Sequence, residues 1–140
     1  MDSVMQNRPR WITAVSLFAV LFGLLTLKEG GSVLFFEGAA REAAGSYVPF
    51  VLWFNFSAGF AYITAGIGLW GMKRWSAYLA VIIAVSTLIV FTAFGVHVLQ
   101  GGAFEMRTVI AMTLRSSIWL AIAFAANRLF LRGYAGQMKK

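Results

Sequence analysis

Residues 51–98 read VLWFNFSAGFAYITAGIGLWGMKRWSAYLAVIIAVSTLIVFTAFGVHV, two apolar runs on either side of a short charged connection. Each run reaches the length of about 20 residues that an α-helix needs to cross the hydrocarbon layer of a membrane. Because the connection, residues 72–75, is so short, the two helices must be antiparallel neighbours. We predict helices over 49–71 and 76–98, with Pro49 in a first turn, where its missing N–H costs nothing.

Two further apolar runs, at 11–27 and 107–131, flank this hairpin and also reach spanning length. Hydrophobic residues make up 60% of the 140 residues and charged residues 12%, whereas soluble domains average about 45–50% apolar and about 25% charged. The first run lacks the cleavage site of a removed signal peptide, so we expect an anchored helix. The sequence therefore predicts an all-α fold, a polytopic four-transmembrane-helix bundle forming a single integral membrane domain over residues 1–140.

The longest connection, residues 28–48, is predicted to be an outer loop because the helix breakers Gly30 and Gly31 stand near its start. We expect it to lie at the membrane interface. Its segment LFFEGAAREAA, residues 34–44, leaves a second interpretation open. That segment could form a short amphipathic helix or a re-entrant lid over the bundle.

The positive charges orient the predicted bundle. Eight Lys and Arg residues fall on one side of it and three on the other, namely Arg8, Arg10, Lys73, Arg74, Arg128, Arg132, Lys139 and Lys140 against Lys28, Arg41 and Arg107. By the positive-inside rule both termini are cytoplasmic, and we expect a multi-pass protein of a bacterial inner membrane. A net charge of +7 would also fit a nucleic-acid binder, but the charges sit in gaps between apolar runs, so we expect no nucleic-acid partner.

Arg115 is the one basic residue that lies well inside a predicted span. It follows Arg107 by eight residues, which is about 12 Å along a helix axis. A charge at such depth costs roughly 2.5 kcal/mol or more unless it pairs or faces a wet interior, which makes it a candidate functional residue. We expect Arg115 to point into the bundle, with Glu29 or Glu105, His97 or Asn55 among its nearest polar groups.

The candidate ligand-binding residues occupy the outer half of the predicted bundle: Arg115, His97, Asn55, Glu29, Glu105, Tyr62 and Trp119. Each of them also has a structural interpretation. His97 could be an interfacial histidine bonded to a loop, and Arg115 could form a salt bridge to one of the two glutamates. Asn55 and Tyr62 could bond between helices, and Trp119 could belong to the core.

Catalytic and metal-binding motifs are missing from the sequence. It has no phosphate loop, no HExxH and no GxSxG. The absence of cysteine excludes disulfides and thiol chemistry. We therefore predict no catalytic residue, no metal ligand and no particular cofactor, and we do not expect an enzyme.

Part of the chain resembles a known family. The resemblance rests on Arg10 before the first helix, Gly23 within it, AGFAYITAGIGLW at 58–70 followed by a basic turn, and WSAYLAVIIAV at 75–85. Over residues 10–90 these features look like the DoxX-like group of small four-helix bacterial membrane proteins. The resemblance implies that fold and an association with membrane redox assemblies, including quinone-linked oxidases, without one shared activity.

Three functions follow as hypotheses. The first is an accessory or structural subunit of an inner-membrane complex, redox or quinone-linked, with other subunits or a second copy as partners in the lipid bilayer. The second is a binding or transport module that holds a small anionic or quinone-like ligand in the outer half of the bundle. The third is a haem-binding electron carrier that uses His97, with Met106, Met112 or a residue of a second protomer as the other axial ligand.

Overall fold

A computed structural model describes residues 9–36 and 38–138, and for residues 40, 41 and 131–138 it describes the backbone alone. These residues form five helices and no strand: α1 Arg10–Phe35, α2 Ala39–Ala44, α3 Pro49–Trp70, α4 Arg74–Leu99 and α5 Met106–Met138. Four of them are long and apolar enough to cross a membrane, α5 over Met106–Phe130. The predicted four-helix architecture is confirmed at this level, and it fits a multi-pass membrane protein.

The first helix is longer than predicted. It continues from Leu27 to Phe35, so that the first eight residues of the predicted loop are helical. Gly30 does not break the helix because its bare backbone packs against α3, where an added Cβ would lie 3.2 Å from the Cβ of Phe56. In a low-dielectric bundle, continued helical hydrogen bonding also satisfies backbone groups that a loop would leave unpaired. The connection therefore spans only residues 36–48, and it contains the short helix α2.

Helices α1 and α3 pack closely and run antiparallel. A Cβ on Gly23 would lie 2.7 Å from the carbonyl oxygen of Gly59, and one on Gly66 would lie 3.0 Å from that of Ser16. Helices in lipid associate largely through such van der Waals contact between small residues. The seam between α1 and α3 is therefore closed along most of its length.

The other long helices also run antiparallel to their neighbours. A tight turn at 71–73 joins α3 to α4, and the N–H of Lys73 donates to the carbonyl oxygen of Gly68 at 2.8 Å. Near that turn, Nδ2 of Asn127 in α5 lies 3.4 Å from the carbonyl oxygen of Ala77 in α4. We call this the hairpin end of the bundle. The opposite end carries residues 38–48, which we call the strap, and the connection between α4 and α5.

The positive charges that oriented the predicted bundle fall at both ends. Arg10, Lys73 and Arg74 lie at the hairpin end, whereas Lys28 and Arg107 lie at the strap end. Arg8, Lys139 and Lys140 lie outside the described residues, as do the side chains of Arg41 and Arg132.

Candidate functional site

A cavity of about 480 Å³ opens at the strap end of the bundle, bounded by α1, the strap, α3 and α5. This volume falls within the range of roughly 300–1,000 Å³ that small-molecule sites occupy. The long polar side chains in its lining are Lys28, Glu29, Asn55, Glu105, Arg107 and Arg115. Four of the predicted site residues, Arg115, Asn55, Glu29 and Glu105, thus line one cavity.

Arg115 points into the bundle, as predicted. Its Nη1 donates to the hydroxyl of Thr26 at 3.1 Å and to the hydroxyl of Tyr62 at 3.2 Å. Its Cζ lies 4.9 Å from the ring centroid of Phe22, within the range of a cation–π contact,. Its Nε is buried and has no hydrogen-bond partner in the described part of the chain.

The structure does not show the salt bridge that was one of the two interpretations of Arg115. Within the described residues, no carboxylate oxygen of Glu29 or Glu105 lies within 4.0 Å of its guanidinium nitrogens. Glu29 is exposed on the continued α1, and Glu105 is engaged elsewhere, since it accepts the N–H of Ser46 at 2.8 Å. Among the described residues the cation is therefore held by neutral hydroxyls and an aromatic face, and not by the carboxylate of Glu29 or Glu105.

Asn55 differs from Tyr62 and Trp119 in its position relative to the cavity. Asn55 lines the cavity, and its Oδ1 is buried without a hydrogen-bond partner among the described residues. Tyr62 and Trp119 are fully buried and stack with ring centroids 4.9 Å apart. They do not line the cavity, but the Tyr62 hydroxyl reaches the site by accepting the bond from Arg115. The indole Nε1 of Trp119 is likewise buried and unpartnered.

His97 lies apart from the other candidates. Its Nε2 lies 2.9 Å from the carbonyl oxygen of Ala103, and since a carbonyl only accepts, Nε2 carries the proton and donates. Its ring meets the ring of Phe50 edge-on at 6.4 Å between centroids. His97 is absent from the cavity lining, so the structure shows the loop-bonded histidine and not a group gathered around Arg115.

The strap is tied to the start of α5 by two polar contacts. Besides the bond from Ser46 to Glu105, Nη2 of Arg107 donates to the carbonyl oxygen of Ala43 at 2.7 Å. Gly45, between them, has a φ of +64° and lies so close to the Glu105 carboxylate that a Cβ would strike it. These contacts hold the strap over the cavity.

Sequence reasoning missed Thr26 and Arg107 as site residues. Thr26 shares the buried face of α1 with Ser16, Gly23 and Gly30, a small and polar stripe at helical spacing that could have been read from the sequence. In the sequence, Arg107 contributes only to the charge difference that predicts the membrane orientation. Its contact with Ala43 joins residues 64 positions apart, and no local pattern predicts such a contact.

The chain was compared with protein-family models, with curated proteins and with solved structures, and nothing matches. The resemblance to DoxX-like proteins stays a prediction. Among the described residues, a buried guanidinium with an unpaired Nε–H and an amide oxygen without a donor adjoin one cavity, and together they can bind a molecule that carries both an acceptor and a donor.

Proposed function

We propose that the protein is a membrane-embedded binding module that holds the polar head of a small molecule in the cavity between α1, α3 and α5. Arg115 is the principal binding group and Asn55 the second. The head must carry an acceptor oxygen for the Nε–H of Arg115 and a donor for the Oδ1 of Asn55, as a small anion that keeps an O–H group or a hydroxyl-bearing quinone-like ring does. The module could deliver its ligand to a partner or move it across part of the membrane.

One observation carries this proposal. In the part of the chain that the structure describes, the donor Arg115 Nε and the acceptor Asn55 Oδ1 are both buried without a partner, and both residues line the same cavity. Leaving a buried polar atom unpaired typically costs about 1–3 kcal/mol, and more for a charged group. Two such atoms at one cavity support a ligand that satisfies both of them when it binds.

The membrane orientation is part of the proposal. The hairpin end carries Arg10, Lys73 and Arg74, so by the positive-inside rule that end is cytoplasmic and the strap end faces outward. In a bacterial inner membrane the cavity would then open in the outer half of the bilayer. The ligand would reach the cavity from the periplasmic leaflet.

Analysis of co-purified molecules tests the function. The wild-type protein, Arg115→Gln and the control Arg128→Gln are purified in mild detergent, and bound small molecules and lipids are quantified by mass spectrometry per mole of chain. Arg128 is a matched control because it is an exposed arginine of the same helix, stacked 6.0 Å over Phe124 and outside the cavity.

We expect one species at fixed stoichiometry in the wild type and in Arg128→Gln, and much less of it in Arg115→Gln. A lost charge-assisted hydrogen bond is worth about 1.5–3 kcal/mol, so the depletion should be about tenfold or greater. Equal content in all three proteins would overturn the proposal.

The other two hypotheses stay predictions. An accessory subunit needs helix faces that bind partner helices, and such faces carry the same apolar residues as faces turned to lipid. A haem carrier would need His97 as a ligand. Its Nε2 is used in the bond to Ala103, so iron could take that nitrogen only after the bond breaks.

A further inference from the structure

We propose that the ligand of this cavity is an acidic amphiphile of the bilayer, with a carboxyl or phosphate head that donates one O–H to Asn55, and that it enters sideways between α1 and α5. The proposal rests on the proposed function, because it identifies the class of molecule that binds beside Arg115. It concerns two properties of the cavity, namely which of its sides are closed and which charge its lining carries.

The strap covers the cavity at the end of the bundle. Ala43, Ala44 and Val48 contribute to the lining from this side. The two ties to Glu105 and Arg107, at 2.8 and 2.7 Å, fix the strap at both sides of Gly45. A water-soluble ligand arriving along the bundle axis would have to break these ties.

Two of the lateral sides are closed by packing. Between α1 and α3, the backbone contacts at Gly23 and Gly30 leave no gap. Between α3 and α5, the buried residues Val51 and Met112 belong to one apolar cluster with Phe94 of α4. Neither seam offers a passage to the cavity.

The side between α1 and α5 is different. Like α3 and α5, these two helices are not among the pairs whose backbones pack closely, but the apolar cluster that joins α3 to α5 at this level contains no residue of α1. The bond from Arg115 to Thr26 crosses between α1 and α5. Above that bond the lining includes the small residues Ser32 on α1 and Ala111 on α5, together with the longer, flexible side chains of Lys28, Glu29 and Arg107. A chain-bearing molecule can therefore place its head inside while its hydrocarbon tail stays in the surrounding lipid.

The charges of the lining favour an acidic head. Three cations, Lys28, Arg107 and Arg115, line the cavity with two carboxylates, Glu29 and Glu105, and Glu105 already accepts a backbone N–H. Among the described residues, the Nε of Arg115 has no hydrogen-bond partner and neither Glu29 nor Glu105 pairs with its guanidinium, and arginine binds carboxylate and phosphate oxygens through two parallel bonds. A zwitterionic head would bring a second charge that nothing deep in the cavity neutralises.

Binding of defined probes tests the proposal. Delipidated protein in detergent is titrated with phosphatidic acid, oleate and phosphatidylcholine, and separately with inorganic phosphate and acetate, and complexes are counted by native mass spectrometry. We expect phosphatidic acid or oleate to bind one per chain, at least about tenfold more tightly than phosphatidylcholine, a difference of about 1.4 kcal/mol. Inorganic phosphate and acetate should not bind measurably in the same range.

Three variants link binding to the site. Arg115→Gln should weaken the acidic amphiphile about tenfold or more, and Arg128→Gln should leave it unchanged. Ala111→Trp keeps Arg115 but fills the side between α1 and α5, so it should also abolish binding. If Arg115→Gln fails to fold, Ala111→Trp still decides the question, since a folded variant that binds as the wild type does would overturn the lateral route.

The remaining outcomes separate the two proposals. Binding of inorganic phosphate or acetate as tightly as the amphiphiles, lost in Arg115→Gln, would leave the binding module intact and refute the amphiphile. Amphiphile binding that is equal in Arg115→Gln would identify lipid held on the outer surface and would refute the inference. If no probe binds and nothing co-purifies with the wild type, the binding module itself is wrong.

Discussion

Replacing Asn55 by leucine should stabilise the ligand-free protein and weaken ligand binding. The Oδ1 of Asn55 is buried and finds no partner among residues 9–36 and 38–138, so the amide costs free energy in the folded bundle. Leucine removes that cost, and the adjoining cavity of about 480 Å³ has room for its slightly larger side chain. Opposite effects on stability and on binding are typical of a residue kept for its ligand.

The expected change in unfolding free energy follows from the free-energy cost of a buried amide that lacks a hydrogen-bond partner. Mutational data put it at about 1–3 kcal/mol in proteins. Polar contacts between helices in membranes average only about 0.6 kcal/mol, because the unfolded chain in lipid also finds partners. We therefore expect the free energy of unfolding to rise by about 1 kcal/mol.

The matched control is Asn127→Leu. Asn127 is also a half-buried asparagine within a long helix, but its Nδ2 donates to the carbonyl oxygen of Ala123 at 2.8 Å. Its replacement should lower stability slightly or leave it unchanged. Unfolding of both variants is measured by titration with a denaturing detergent in mixed micelles, on delipidated protein, and bound ligand is quantified in parallel. If Asn55→Leu loses as much stability as Asn127→Leu or more, Asn55 is satisfied in the folded protein and the reasoning fails.

Three further predictions concern the framework of the site. Arg107→Met removes one tie of the strap and should speed hydrogen exchange at the strap amides, with no change in the turn between α3 and α4; unchanged exchange would show that the tie does not hold the strap. Because the chain has no cysteine, single cysteines can be placed at Ala39 and Lys73, and an impermeant thiol reagent added to intact cells should label only the first if the strap end faces outward. Gly23→Val should cost about 2 kcal/mol or more, since its Cβ would lie 2.7 Å from the backbone of α3,, whereas Gly95→Ala, with nothing within 4 Å of its Cβ, should be neutral in the same unfolding assay.

Hydrophobic length and helix spacing carried the prediction of the framework. The four spans and the hairpin around Lys73 follow from the lengths of the apolar runs and from the charges that lie between them. The inward direction of Arg115 follows from the free-energy cost of placing a charge in lipid. The end of α1 was misjudged because glycine is read as a breaker in water. At Gly30 the chain stays helical because it packs against α3, where the ring of Phe56 occupies the space that a side chain would need.

The composition of the site was harder to predict. Helical spacing tells which residues share a face, but not how each helix is rotated toward its neighbours. That rotation brings Thr26 and Tyr62 to Arg115 and leaves Glu29 on the exposed side. It also assigns Glu105 to the strap. A carboxylate at the same depth in the membrane would be an energetically favourable partner for Arg115, yet the observed partners are the hydroxyl groups of Thr26 and Tyr62.

Those neutral partners change what the loss of Arg115 should do to the ligand-free protein. Removing one member of a buried ion pair costs about 3–5 kcal/mol because a charge is left alone. Here Arg115→Met would leave only the hydroxyls of Thr26 and Tyr62 without their bonds of 3.1 and 3.2 Å, and it would also remove a cation whose burial in a span costs roughly 2.5 kcal/mol or more. The two effects nearly cancel, so the unfolding free energy of delipidated Arg115→Met should fall by less than about 1 kcal/mol, while ligand content falls at least as far as in Arg115→Gln.

Tyr62→Phe, which removes one of the two acceptors and keeps the cation, serves as the control and should cost about 1 kcal/mol with ligand largely retained. A loss of about 3–5 kcal/mol in Arg115→Met would mean that a carboxylate pairs with the guanidinium in the folded protein, and Arg115 would then be a structural residue instead of the group that binds the ligand.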